Sequence, residues 1–165
     1  MAARVVDRLV SVENDSRFRR AVKQRLRDCP RHPAQLRLID VDIGVTREWG
    51  TPFFTRRTAD RAMRWRRYST APWDCFDESD PEPDTILIDG RFRVACALYS
   101  LLRLSELSPC AILFDDYRDR PCYAEVERHA RLASMEGRMA VFHKGATFDV
   151  ERCRDAYEAA CLDWR

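Results

Sequence analysis

Acidic side chains close four short apolar runs of the sequence. Glu13 and Asp42 end the first two runs, Asp89 ends the third, and the pair Asp115 and Asp116 ends the fourth. If the runs are parallel strands, their carboxyl ends meet at one edge of a sheet, where open α/β sheets bind ligands. Each acid alone could instead cap a helix or begin a turn. Because four runs share the feature, the pattern favours a binding site.

Carboxylates gathered at one sheet edge are suited to two kinds of binding. An acid that ends a strand can accept hydrogen bonds from the hydroxyl groups of a ribose. The trio Asp89, Asp115 and Asp116 offers the oxygen ligands that a hard divalent cation prefers. Without a cation or hydrogen-bond donors, such acids repel one another and are costly to desolvate.

Arginines follow these acids closely in the sequence. Arg91 and Arg93 come directly after Asp89 and its glycine, and a guanidinium would compete with a metal for the same oxygens. The sequence therefore favours an arginine-neutralised acid cluster over a magnesium site, and the two arginines also suit an anionic ligand. Arg118 and Arg120 follow the pair Asp115 and Asp116, and they either neutralise these acids or bind a substrate.

The elements that must position these residues alternate between β-rich runs and helical patterns, which is typical of an α/β domain. We predict a Rossmann-like three-layer sandwich with a mainly parallel sheet of about five strands and right-handed crossovers. The predicted strands are Arg8–Glu13, Leu36–Asp42, Thr85–Asp89, Ala111–Asp115 and Arg138–Phe142. The predicted helices contain Phe18–Leu26, Phe92–Leu102, Tyr123–Ala133 and, within residues 149–165, Val150–Trp164.

Residues 44–84 lack a clean period, and we expect them to form a long irregular lid or insertion. The segment first carries arginines among aromatic residues and then a run of acids. Arginines and aromatics together could stack on bases or grip phosphates. The sequence favours a simpler interpretation, in which the arginines form one solvated face of a short helix that pairs with the acidic run.

Length and composition narrow the class of protein. A chain of 165 residues with 45% hydrophobic and 34% charged residues suits one globular domain over residues 1–165. With 29 Lys and Arg against 27 Asp and Glu, the bulk charge gives no reason to expect nucleic acid as a partner. No apolar run reaches the ~18–20 residues of a membrane span. We expect a cytoplasmic protein that binds a small molecule and no membrane.

Several of these runs together resemble class I S-adenosylmethionine-dependent methyltransferases. They are most similar to the branch that includes macrocin and catechol O-methyltransferases, in which an Ile-Asp-Gly strand end is followed by an Asp-Asp-Tyr strand end. The resemblance covers roughly residues 8–143. The matching stretches are Val10–Asp15, Val41–Gly44 with Glu48–Gly50, Ile86–Arg93 and Leu113–Tyr117.

The resemblance implies roles for individual residues. Glu13 matches the acid that holds the ribose hydroxyls of S-adenosylmethionine, and Asp42 lies where the fold places a group near the adenine. Asp89 matches the acid beside the methyl-transfer centre, so it is both a cofactor-binding and a catalytic candidate, and Arg91 and Arg93 are catalytic candidates with it. In metal-dependent members, Asp89 and the pair after the next strand, Asp115 and Asp116, would hold magnesium against a substrate hydroxyl.

The sequence also departs from this family. The fold opens with a strand and a glycine-rich turn that receives the methionine end of the cofactor, but no glycine precedes Gly44. We therefore expect a fold truncated at the N-terminus, weak or absent S-adenosylmethionine binding by this chain, and an open sheet edge that invites self-association. Arg91 stands where metal-dependent relatives carry a further acid, so magnesium is not favoured. No closing β-hairpin is expected, since a helix follows Phe142.

The leading hypothesis is a methyltransferase that acts on a small hydroxylated or anionic acceptor when the missing cofactor loop is supplied. The alternative is a non-catalytic descendant of the fold that serves as a binding or assembly module.

Overall fold

Two units, Met1–Phe76 and Asp77–Arg165, make up the computed structural model of the chain, which describes residues 6–27, 35–77 and 79–165. Each unit is compact and holds its own sheet. The single domain expected over residues 1–165 stays a prediction. The truncation expected before the first strand also stays a prediction, because residues 1–5 lie outside the described residues.

A parallel pair of strands forms the sheet of the first unit. β1 (Arg8–Glu13) pairs with β2 (Gln35–Asp40), and Glu13 lies opposite Asp40 at the carboxyl end. α1 (Ser16–Arg27) follows β1. Its start is capped as the sequence predicts, since the Asp15 carboxylate accepts the N–H groups of Arg17 and Phe18 at 2.7 and 3.0 Å.

The segment after β2 contains α2 (Ala59–Thr70), which agrees with the short helix that the sequence favours for the arginine-rich stretch. The Thr58 hydroxyl caps this helix by accepting the Arg61 N–H. Trp65 and Tyr68 are buried, and the Trp65 indole donates to the carbonyl of Ile43 at 3.2 Å. Two aromatic side chains thus anchor the helix, and arginines surround them in sequence, which is why no apolar stripe marks it. The role of residues 44–84 as a lid or insertion stays a prediction.

The sheet of the second unit is mixed, and the mainly parallel sheet predicted from the sequence is wrong in this respect. Its strands are β3 (Thr85–Ile88), β4 (Ala111–Phe114), β5 (Ala130–Glu136) and β6 (Met139–Lys144), in the order β3-β4-β6-β5. β3 pairs with β4 in parallel, whereas β4 pairs with β6 and β6 with β5 in the antiparallel sense. The helices of this unit are α3 (Arg93–Arg103) and α4 (Val150–Ala160).

The hairpin of β5 and β6 overturns two predictions, a helix over Tyr123–Ala133 and the lack of a closing β-hairpin. Pro121–Arg128 is a 3-10 segment, and the chain then turns into β5. The apolar residues whose spacing suggested a helix are divided between this 3-10 segment and β5. Glu136 pairs with Met139, so the hairpin has a two-residue turn in which Gly137 adopts φ +63°.

The core of the second unit lies between α3 and the sheet. Leu98 and Leu101 of α3 and Phe114 and Phe142 of the sheet are fully buried. Tyr123 packs its ring 4.9 Å from that of Phe114. Burial of each such side chain contributes about 1.5–3 kcal/mol to the free energy of unfolding. None of the described helices is both long and apolar enough to cross a membrane.

We expect Gly137→Ala to destabilise the protein by about 1 kcal/mol, because a Cβ is disfavoured at positive φ even where space is open. An added Cβ at Gly137 meets nothing within 4 Å, so backbone strain alone is tested. Urea denaturation followed by circular dichroism would measure the change.

Gly145→Ala is the matched control for this substitution. Its added Cβ also meets nothing within 4 Å, and no positive φ is involved. Its free energy of unfolding should be unchanged or slightly higher. Equal losses in the two variants would contradict the assignment of the hairpin turn.

Candidate functional site

The carboxyl ends of β3 and β4 bring three acids together in the second unit. Asp89 follows β3, and Asp115 and Asp116 follow β4. The Asp115 N–H donates to the carbonyl of Ile88 at 3.0 Å, which aligns the two strand ends. One carboxylate oxygen from each acid lies within 4.8 Å of the other two. The structure thus assembles the trio that the sequence singled out.

Arg93 lies at the start of α3 and joins these acids. Its guanidinium donates to the carbonyls of Gly90 at 2.9 Å and Asp115 at 2.6 Å, and to the carboxylates of Asp89 at 3.3 Å and Asp116 at 3.4 Å. Only 3% of the side chain is exposed. A buried guanidinium needs such acceptors, because an uncompensated charge is strongly destabilising. Arg93 therefore holds the ends of β3, β4 and α3 in register.

Two further arginines approach the cluster from its outer side. Arg120 pairs with Asp116 at 3.1 Å, which is the neutralising role that the sequence left open for it. Arg138 reaches Asp116 at 3.0 Å and Asp115 at 3.7 Å. Sequence reasoning missed Arg138, since it stands in the hairpin turn that was not predicted. We call these residues the acid–arginine cluster: Asp89, Asp115, Asp116, Arg93, Arg120 and Arg138.

Strained backbone surrounds this cluster. Phe92, Asp116 and Asp119 adopt φ of 53°, 55° and 68°, in the left-handed region that glycine favours. Phe92 is fully buried directly before Arg93, so packing holds its conformation. Each non-glycine residue held in this region lowers the stability of the fold by about 1–3 kcal/mol, and such residues are concentrated at functional sites.

Asp89 is the most exposed acid of the cluster, with 57% of its side chain exposed. Partial burial raises the pKa of its carboxyl, Arg93 opposes this, and Asp115 and Asp116 raise the pKa further by repulsion. Arg91 is half-buried in the turn after β3, and its predicted catalytic role stays a prediction.

An open cavity of about 330 Å³ adjoins the cluster within the second unit. Arg120 belongs both to the acid–arginine cluster and to the lining of the cavity. Arg118, Leu132 and Met135 also line the cavity. The Tyr117 hydroxyl in its wall donates to Glu127 at 2.6 Å. The cavity thus combines the apolar side chains of Leu132 and Met135 with charges of both signs, from Arg118 and Arg120 and from Asp119 and Glu127.

The first unit holds the other two predicted site residues. Glu13 is half-buried at the carboxyl end of β1, and its Oε1 accepts the Asp15 N–H at 2.7 Å. Asp42 lies two residues beyond β2 and is engaged at both oxygens. Its Oδ1 accepts the Gly44 N–H at 2.7 Å, and its Oδ2 pairs with Arg64 at 2.7 Å. Glu13 therefore has more capacity for a ligand than Asp42.

Comparison with known proteins identifies the kind of fold. The chain is similar to the crystal structure of a methyltransferase-like protein from Silicibacter pomeroyi, with a TM-score of 0.80 and 29% sequence identity. The match covers 98% of this chain and 80% of that one. No family model matches the chain, and neither does any curated protein. The chain has a methyltransferase-like α/β fold, and the narrower catechol O-methyltransferase-like branch is not confirmed.

We expect Asp116→Asn to lower the free energy of unfolding by about 1–3 kcal/mol, since it removes the charge that Arg93, Arg120 and Arg138 share. Asparagine tolerates positive φ as aspartate does, so the loss reports on charge alone. Asp119→Asn is the matched control, because Asp119 is exposed on the same left-handed loop. Denaturant titration should show a change within about 0.5 kcal/mol for the control. Equal losses of stability in Asp116→Asn and Asp119→Asn would contradict the ion pairs assigned to Asp116.

The raised pKa of Asp89 predicts a pH-dependent contribution to stability. A carboxyl whose pKa is higher in the folded state stabilises the fold below its unfolded pKa of about 3.9, and this stabilisation is lost as the pH rises through the folded pKa. Asp89→Asn removes the titrating group. The melting temperature of the wild type relative to this variant should therefore be highest below about pH 4 and fall as the pH rises toward neutral. A difference that does not vary with pH would overturn the assignment.

Proposed function

We propose that the chain is an S-adenosylmethionine-dependent methyltransferase that acts on a small hydroxylated or anionic acceptor. The likeness to a methyltransferase-like protein over nearly the whole chain is the observation that carries the proposal. The placement of acids at the carboxyl ends of parallel strands supports it, because α/β folds bind their ligands there.

Glu13 is the residue best suited to hold the cofactor. Its carboxylate ends β1 and keeps one oxygen outside the contact with Asp15, so it can accept ribose hydroxyls. S-adenosylmethionine, when bound, supplies an electrophilic methyl group. Asp42 is less suited, since both of its oxygens already have partners.

The acceptor side of the proposal rests on the second unit. Arg118 and Arg120 line the open cavity and would attract a carboxylate or phosphate. Asp89, the most exposed acid of the cluster, would accept the hydroxyl of an acceptor and orient its oxygen. Arg93 acts as a positioning residue, because its donors hold the strand ends rather than a ligand.

The acid–arginine cluster does not fit magnesium well. Its three carboxylates are close enough to share one ion, but Asp116 has arginines on both of its oxygens. Three guanidinium groups balance the three acids and leave no surplus negative charge to stabilise a divalent cation. We therefore propose charge neutralisation by arginine as the state of this cluster. A higher melting temperature in millimolar magnesium would contradict it.

A non-catalytic binding module is the second candidate function. It is favoured by the engagement of Asp42, Asp116 and Arg93 in contacts within the protein. In such a module the cluster would stabilise the fold, and the cavity would take a ligand without chemistry. The two functions differ in whether the chain binds S-adenosylmethionine.

We expect the 165-residue chain to bind S-adenosylmethionine weakly, with a Kd of about 0.1–1 mM in titration calorimetry. The affinity is low because no glycine-rich turn occurs among residues 1–43 to receive the methionine end. Glu13→Ala should abolish binding, since charge-assisted hydrogen bonds to ribose contribute ~1.5–3 kcal/mol each.

Asp42→Asn is the control for this experiment, because asparagine can keep the turn at Gly44 and should leave binding unchanged. Binding that survives Glu13→Ala would place the cofactor elsewhere. A complete lack of binding by the wild type would favour the non-catalytic module.

A further inference from the structure

A short hairpin of the first unit, residues Val45–Phe53, carries a tryptophan at its tip. Thr46 and Pro52 bridge the two arms. The Arg47 N–H donates to Thr51 and the Phe53 N–H to Val45, both at 2.7 Å. The arms are thus held by regular hydrogen bonds.

The turn of this hairpin places Trp49 in a disfavoured conformation. Trp49 has φ 61° and ψ 22°, Gly50 has φ 69°, and the Thr51 N–H donates to the carbonyl of Glu48 at 3.3 Å. This is a type I′ turn, whose first central position prefers asparagine, aspartate or glycine. The indole is 88% exposed, so packing within the chain does not offset the strain. Strain without an internal benefit points to a partner outside the chain.

Apolar and cationic side chains surround the tip. Val45, Phe53 and Phe54 are 63%, 47% and 54% exposed. The guanidinium of Arg47 lies 4.6 Å from the ring centre of Phe53, and that of Arg61 lies 5.3 Å from the ring centre of Phe54. We call this surface, Val45–Phe54 with the arginines Arg47, Arg56, Arg57 and Arg61, the tryptophan patch.

Charge determines what kind of partner fits this patch. The tryptophan patch contains four arginines and one acid, Glu48, whereas the whole chain has a net charge of only +2. A second copy docked patch to patch would bring like charges together and be repelled. The patch therefore complements an anionic surface.

We propose that the tryptophan patch binds the surface of an anionic phospholipid bilayer. Tryptophan and arginine prefer the level of the lipid headgroups, and exposed Val45 and Phe54 add apolar area that can enter below it. The carboxylate of Glu48 at the tip limits insertion to this depth. This proposal departs from the expectation of no membrane partner, which rested on the lack of an apolar span in the sequence. A patch that lies on a membrane needs no such span.

The hairpin fits a bilayer better than a single-stranded nucleic acid. Nucleic acids are gripped by successive free ring faces. Here arginines already lie over Phe53 and Phe54, and aliphatic Val45 offers no face to stack on.

Vesicle cosedimentation of the full chain tests the proposal. We expect binding to phosphatidylcholine vesicles that contain about 30% phosphatidylglycerol, little binding to pure phosphatidylcholine, and weakening by salt. Trp49→Asn should reduce the vesicle affinity at least about tenfold while the melting temperature does not fall, because asparagine suits the turn. Arg56→Glu with Arg57→Glu should reduce the affinity by a similar factor or more.

Matched variants elsewhere on the surface serve as controls. Leu107→Asn removes an apolar side chain that is 89% exposed, and Arg131→Glu with Arg152→Glu repeats the change in charge on exposed positions. All three substitutions lie in the second unit and should leave vesicle binding unchanged. The fluorescence of Trp49 is obtained by subtracting the emission spectrum of the Trp49→Asn variant from that of the wild type. This emission should shift to shorter wavelength when anionic vesicles are added.

Three outcomes would overturn the proposal. The first is wild-type cosedimentation no greater with anionic than with neutral vesicles. The second is equal loss of binding in the patch variants and the control variants. The third is a single-stranded oligonucleotide that binds tightly through Trp49 and Arg56 while vesicles do not bind, which would assign the patch to nucleic acid.

Discussion

The second unit is organised around a buried guanidinium that must be compensated. Arg93 is almost fully inaccessible, and its charge is tolerable only because two carbonyls and two carboxylates accept its hydrogens. Those acceptors come from the ends of two strands, so their positions are fixed together. The left-handed backbone at Phe92 and Asp116 follows from this constraint, since the chain must turn sharply on both sides of the ion-pair network.

The parts of the fold that could be predicted are those in which local pattern and tertiary structure agree. β1, α1 and α3 lie within a residue or two of the predicted positions, because their apolar spacing and caps are set by near neighbours. The convergence of Asp89 with Asp115 followed from parallel pairing of β3 and β4. These inferences required only the direction of two strands.

The parts that could not be predicted depend on contacts between distant residues. The spacing of Tyr123, Val126 and Ala130 fits a helix, yet Pro121 begins a 3-10 segment and the chain enters β5, where pairing with β6 decides the conformation. Arg138 joins the site only through that hairpin. A short helix was expected in the arginine-rich stretch, but its bounds were not, because α2 is anchored by Trp65, whose partner Ile43 is 22 residues away.

The order in which the second unit is synthesised gives the β5–β6 hairpin a further importance. Asp116 leaves the ribosome before Arg138, which is the last member of its network to be made, and a chain of average speed needs about 1–4 s to add the residues between them. Until then, the acids at the end of β4 lack one of their counter-ions, and β4 lacks its neighbour β6. The nascent domain therefore carries an unpaired strand edge beside surplus negative charge. That charge discourages edge-to-edge association of neighbouring nascent chains during this interval.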